Sequence, residues 1–241
     1  GTTSLTSWTK QDPFVLNHFY WVILKGAEDR RITVTFGQIG DQWEKKSTDL
    51  PTHLVEPIEL ISIQTFMQVG ADGGSPTVWS MDDVKAIGPG FETTLLDFEG
   101  ENLWTPFPTS NGLDDSFDVV TEPTGIGDPG TTVGQMTLDR GTVAGKRGAY
   151  RSANGDPVPV IVSKEFLGLT GSSLDEPLVI QIAGGFIPVI PVVASEYFPT
   201  LDPDRSPFMV LDVTALIDFV ELRGLSNISA NELFLDIDPD D

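Results

Sequence analysis

Residues 158–213 read VPVIVSKEFLGLTGSSLDEPLVIQIAGGFIPVIPVVASEYFPTLDPDRSPFMVLDV, and this stretch decides how the chain divides. An apolar run from Pro157 to Val162 meets Ser163, a helix-capping residue, and Phe166, Leu167 and Leu169 follow, which predicts a short helix over 163–170. A polar turn from Gly171 to Pro177 leads into two β-rich runs, 177–183 and 186–195, joined at Gly184-Gly185 and read as a hairpin-like pair. Beyond Tyr197 and Phe198 a loop rich in Pro and Asp extends to Pro207, and Phe208 to Val213 is a further apolar run. Asp212 is the expected cap of a second helix, because Leu216, Ile217, Phe219, Val220 and Leu222 recur at helical spacing before Gly224. Leu233 to Ile237 reads as a closing strand. Short helices mixed with strands predict a small α+β domain.

The preceding part is patterned differently. FVLNHFYWVIL (14–24) and RITVTF (31–36) are β runs either side of a Gly26–Arg30 turn, and the second alternates polar with apolar as a half-buried antiparallel strand does. DQWEKKSTD (41–49) is polar loop or edge. IELISIQTFMQV (58–69) alternates again, placing Ile61, Ile63 and Thr65 opposite Leu60, Ser62 and Gln64, and TVWSMDDVKAI (77–87) follows a glycine-rich turn. Such runs, punctuated by Gly and Pro, fit a β-sandwich. Thr94–Glu99, Asp115–Val120 and Val133–Leu138 are shorter strand candidates, linked by loops such as TPFPTSNGLDD and EPTGIGDPGTT. A boundary is expected near Gly145, ahead of the basic pair Lys146-Arg147, so that residues 1–145 form a jelly-roll-like sandwich and 146–241 the α+β domain.

Composition narrows the function. The 241 residues carry 36 acidic against 14 basic side chains, a net charge of −22, which argues against nucleic acid or an anionic membrane surface as partner. That charge reads as a solvated acidic surface or as divalent-cation binding in Asp-rich loops. Without cysteine there is no disulfide, thiolate nucleophile or Cys-bound zinc. Two histidines, His18 and His53, are too few for a multi-His metal site. No stretch approaches the roughly 20 apolar residues that span a bilayer, and GTTSLTSW at the N-terminus lacks the pattern of a signal peptide.

The order VPVIVSKEFL, LVIQI, an Ile-Pro-Val strand, EYFPTLDPDRSPF, VLDVTALIDF and finally NELFL (231–235) resembles the extracytoplasmic region of FtsX/MacB-type ABC transporter permeases over about residues 155–238. The resemblance implies a non-catalytic domain on the extracytoplasmic face of a bacterial cell membrane, mediating partner contact or transmitting motion. It also implies transmembrane helices in the parent permease, a separate ATPase, and a periplasmic or lipoprotein partner. A chain with no apolar span of its own would then be an excised piece. The contact surface expected on this reading is the loop Tyr197–Phe208, where Phe198, Asp202, Asp204 and Arg205 offer an aromatic and charges in a Pro-stiffened turn. The plainer alternative is that Tyr197 and Phe198 pack on the sheet and Asp202 caps the turn.

DRRITVTF, DLPTHLVEPIELISIQTF and GGSPTVWSMDDVKAIG resemble the galactose-binding-like jelly rolls of carbohydrate-binding modules over about residues 14–90, a family that often holds a structural calcium. Only Asp82 and Asp83 match the strand concerned. Period-two geometry sends them to opposite faces, so one must face the core, where a carboxylate needs a hydrogen bond, an ion pair or a metal. Backbone or Arg pairing and a calcium ion, which prefers oxygen ligands, are the alternatives. Diverging side chains make a poor glycosidase pair. If the sandwich binds sugar, Trp43, in the polar DQWEKK stretch, is the tryptophan expected to be exposed for stacking. A third class, an enzyme, lacks a Gly-x-Ser-x-Gly elbow, a Walker sequence and a dinucleotide-binding glycine fingerprint.

Overall fold

The computed structural model describes residues 1–27, 30–67, 76–100, 102–108, 115–122, 132–139, 147–151, 157–182, 185–199, 201 and 206–222. It is mainly β, a jelly-roll-like sandwich followed by a small α+β unit.

The first sheet of the sandwich has the order β4-β1-β6-β10-β9, built from β1 (Thr2–Asp12), β4 (Glu44–Leu54), β6 (Thr77–Gly88), β9 (Ser116–Thr121) and β10 (Thr132–Leu138). β7 (Phe91–Leu96) pairs with the far half of β6. The second sheet has the order β3-β2-β5-β11-β8, from β2 (His18–Lys25), β3 (Arg31–Gln38), β5 (Glu59–Met67), β8 (Trp104–Pro106) and β11 (Arg147–Arg151). All pairings in both sheets are antiparallel. Because β11 lies between β5 and β8, the sandwich runs on through Arg151, beyond the boundary expected near Gly145.

The stretch read as polar loop or edge contributes β4, an edge strand, while the N-terminal residues, which the sequence reading did not assign to a strand, form β1 beside β6. The strict alternation expected in β5 is also broken. Ile23 pairs with Ser62 while Leu24 pairs with Leu60, so Ile61 is an extra residue on β5. This bulge leaves Leu60 and Ile63 in the core between the sheets and puts Ile61 in a second core with Ile23.

That second core explains why β2 is apolar without a break from Phe19 to Leu24 and why β5 buries residues on both of its faces. Tyr20, Val22, Leu24 and Ile63 face the first sheet, with Tyr20 stacked on Phe36 at 4.9 Å and tilted against Trp79 at 5.2 Å. Ile23, Ile61 and Tyr150 face the other way, onto the α+β unit. A sheet covered on both sides reads as a continuous apolar run rather than an alternating one.

The α+β unit comprises β12 (Val158–Ser163), α1 (Lys164–Thr170), β13 (Leu178–Ile182), β14 (Gly185–Ser195), β15 (Met209–Leu211) and α2 (Val213–Leu222). Its sheet has the order β13-β14-β12-β15, with β13 and β14 an antiparallel hairpin and β12 parallel to β14. Ser163 caps α1 through its hydroxyl, which accepts from the Phe166 N–H at 3.2 Å, and Gly171 closes the helix at φ 69°. Asp212 Oδ1 accepts from the Ala215 N–H at 2.9 Å at the start of α2. The closing strand expected at Leu233–Ile237 lies outside the described residues.

α2 buries Leu216, Phe219, Val220 and Leu222, one stripe of a helix, against the sandwich and its own sheet. The Phe219 ring meets Tyr150 at 5.6 Å and Phe107 at 6.4 Å, both edge-on. Arg31 of β3 adds ion pairs to Asp218 and Glu221 on the exposed side of the helix. Each buried apolar side chain contributes about 1.5–3 kcal/mol, whereas such half-exposed ion pairs contribute about 0–1 kcal/mol. The apolar stripe therefore holds the two units together.

Candidate functional site

The loop expected as a contact surface is anchored at both ends. Ser195 Oγ donates to the Tyr197 carbonyl at 2.6 Å and accepts from its N–H at 3.2 Å. Phe198 and Leu201 form an isolated bridge, with the Leu201 N–H donating to the Phe198 carbonyl at 3.0 Å. At the return, the Ser163 N–H donates to the Phe208 carbonyl at 3.0 Å and Ser163 Oγ accepts from the Phe208 N–H at 3.4 Å. One hydroxyl thus serves both the α1 cap and the loop. Phe198 is half-buried, its ring 6.2 Å from that of Phe208, while Tyr197 is 70% exposed. Tyr197, not Phe198, is the aromatic this loop presents to solvent. Asp202, Asp204 and Arg205 lie outside the described residues.

Asp82 and Asp83 occupy a bulge of β6. Trp79, Met81, Val84 and Ala86 all belong to the core between the sheets, a spacing that needs one extra residue, and the pairing with β1 shifts where Thr6 meets Lys85 and Trp8 meets Asp82. Asp83 takes up the irregularity at φ 52°. Asp82 is buried, and its Oδ1 accepts from the Asp83 N–H at 2.7 Å. Burial pushes its carboxyl up to about 7, against the pull of that hydrogen bond, with the charges of Asp83, Glu99 and Asp97 adding to the rise. Asp83 is half-buried and faces Lys85, Oδ2 to Nζ 3.0 Å. The pair makes separate contacts, one with backbone and one with an ammonium. Among the described residues no group of three or more His, Asp or Glu side chains is placed to hold a metal ion.

Trp43 is half-buried beneath the Lys10 ammonium, 5.0 Å from the ring centroid, and Lys10 is itself paired with Glu122 at 3.2 Å. A cation over the indole face occupies a surface that a sugar would need. Trp79 and Trp104 are buried, and Trp8 and Trp21 are half-buried, so none of the five tryptophans is fully exposed.

Three arrangements were not anticipated from sequence. His18 is fully buried between Gln11 Oε1, 2.8 Å from Nδ1, and Thr65 Oγ1, 2.6 Å from Nε2. Gln11 spends its amide protons on the Val15 and Ile39 carbonyls, so its oxygen faces the ring and Nδ1 carries the imidazole proton. Burial, then the nearby Arg147 charge, lowers the His18 pKa to about 4. Arg147, read as half of a basic linker pair, is instead buried and joins the two sheets. Its Nε donates to Asp115 Oδ2 at 2.7 Å, its Nη2 to Asp115 Oδ1, and Nη2 also reaches the Asp139 carbonyl at 2.8 Å. Finally, a cavity of about 250 Å³ opens beside β7 and β8, lined by Leu60, Leu95, Leu96, Asp97, Trp104 and Arg151 among others. The only sequence signal for the first of these is polar residues, Gln11 and His18, set within otherwise strand-like runs.

The chain matches no protein-family model, and no curated protein or solved structure is similar to it.

Proposed function

We propose that this chain is a non-catalytic extracytoplasmic domain of an ABC-type permease, which contacts partners or transmits motion while transmembrane helices and a separate ATPase do the transport work. The observation that carries the reading is the order of elements after Pro157, a strand, a capped helix, a hairpin, a solvent-facing aromatic loop, and a strand running directly into α2. The described residues from Pro157 to Leu222 cover part of the run on which the permease resemblance rests. The apolar seating of α2 on the sandwich supports a role in transmitting motion, since a displacement of either unit is passed to the other. The exposed Tyr197 is the side chain through which the loop would engage a periplasmic or lipoprotein partner. The buried His18 and the Arg147–Asp115 pair are engaged in structural contacts, which suits a domain without chemistry of its own. Among the described residues no helix is long and apolar enough to cross a membrane, so the anchoring spans would lie elsewhere in the parent protein.

The test is the coding region on either side. Apolar spans of about 20 residues flanking the segment are the expected result. A reading frame that opens with a signal peptide and closes near Asp241 would overturn the proposal and turn attention to glycan titrations of the sandwich.

A further inference from the structure

We infer that β13 is a self-association edge, at which two copies of this chain join their third sheets into one continuous antiparallel sheet. From Pro177 to Ser195 no residue is ionisable, the longest such run in a chain of net charge −22. That run folds as the β13–β14 hairpin, and among the described residues β13 has a hydrogen-bonded neighbour on one side only. Among the described residues its other side offers a row of backbone donors and acceptors. Natural edge strands are commonly blunted by Lys, Pro or a bulge, and LVIQI carries none of these within its five residues.

The inner row of β13 is unfinished in the same direction. Leu178, Ile180 and Ile182 pack against the second core but remain half-exposed, whereas Ile187 and Val189 on the neighbouring strand are buried. A further strand beyond β13 would complete their cover. On the opposite face Val179 is 47% exposed and Gln181 is also exposed, again without charge.

A second copy satisfies these conditions. Antiparallel pairing about a two-fold axis at Ile180 sets Leu178 beside Ile182 of the second copy and Val179 beside Gln181 of the second copy, a self-complementary pattern. It also meets the electrostatic requirement. Two copies at −22 repel, so they can meet only where neither presents a carboxylate, and Glu176, the nearest acidic residue, falls outside the five paired positions. A five-residue strand is about 17 Å long, so the contact lies below the roughly 1,200 Å² of a standard interface and belongs to the weak, transient class. This inference does not depend on the permease reading.

Sedimentation equilibrium of the intact chain, from about 10 µM to about 1 mM and at low and high salt, tests it. The apparent mass is expected to climb from 26.1 kDa toward twice that value, more readily at high salt because screening relieves the mutual repulsion. The Val179→Lys/Gln181→Lys double variant places lysines opposite lysines at two exposed positions, and should hold the protein monomeric with unchanged circular dichroism and melting temperature. A mass that stays monomeric at 1 mM and high salt overturns the inference. So does a dimer that persists in the double variant, because another surface would then be responsible. Capture of an extended apolar peptide by a chain that never self-associates would likewise assign the edge to a different occupant.

Discussion

The Ser62 hydroxyl donates to the Leu222 carbonyl at 2.6 Å, joining a central strand of the sandwich to the last residue of α2. Gln64 shares the same acceptor through Nε2 at 2.8 Å, while its Oε1 takes the indole N–H of Trp21 at 3.0 Å. A helix C-terminus leaves carbonyls without intrahelical partners, and here the sandwich supplies donors for one of them. The two units are thus matched in polar as well as apolar detail.

A consequence is that they unfold together. All five tryptophans lie in the sandwich, and both helices among the described residues lie in the α+β unit, so tryptophan emission weights the first and the helical part of the circular dichroism at 222 nm weights the second. Urea titration should give superimposable transitions for the two probes. Transitions that separate would mean that α2 detaches as an independent unit.

Phe219→Ala should be among the most damaging substitutions in α2. It removes a buried ring that touches both Tyr150 and Phe107, leaving a cavity at the junction, and is expected to cost about 3–5 kcal/mol in urea denaturation. Arg31→Ala, which removes ion pairs to half-exposed carboxylates, should cost less than Phe219→Ala, and the ionic part of that cost should shrink in salt. If Arg31→Ala proved the more costly of the two, the ordering of apolar over ionic contributions at this interface would be wrong.

The buried ion pair between the sheets behaves differently from the exposed ones. Arg147→Met leaves the Asp115 carboxylate enclosed without its partner, and a loss of about 3–5 kcal/mol is expected. The double variant Arg147→Met/Asp115→Leu should recover most of that loss, because an unpaired buried charge is the damaging species. A double variant no more stable than the single one would show that the pair contributes through geometry that apolar side chains cannot replace.

How much of this was legible in the sequence follows from what each signal depends on. The α1 and α2 caps, Ser163 and Asp212, and the β13–β14 hairpin were legible because caps, turns and helical spacing are local. The division into a sandwich and an α+β unit was legible from the change in periodicity. The bulges at Ile61 and at Asp82-Asp83 were not, since an extra residue on one strand is defined only by its partner strand, and each bulge reassigned side chains to faces that strict alternation had given elsewhere. Arg147 was misread for a related reason, because its ion-pair partner, Asp115, sits on the other sheet. The Lys10 ammonium over Trp43 likewise depends on a strand pairing, β1 with β4, that no local pattern announced.

Two buried groups that titrate between about pH 4 and 7, His18 and Asp82, pull on stability in opposite directions, which makes the pH profile informative. His18 has a folded pKa near 4 against 6.5 unfolded. The unfolded chain therefore binds its proton first as pH falls, and stability is lost between pH 6.5 and 4, by about 3 kcal/mol in full. Asp82 has a folded pKa near 7 against 3.8 unfolded. Here the folded chain holds the proton longer, so stability is lost as pH rises from 3.8 to 7, by about 2–3 kcal/mol after allowing for nearby solvent. Between pH 4 and 6.5 the two slopes oppose each other and the wild-type profile should be nearly flat. Asp82→Asn removes one of them while keeping an oxygen for the Asp83 N–H. The variant should match wild type at pH 4, exceed it by about 1–3 kcal/mol at pH 8, and show the bare His18 slope between. A variant that is less stable than wild type at pH 8 would mean that the Asp82 carboxylate is stabilised in the folded chain by a partner stronger than the Asp83 amide.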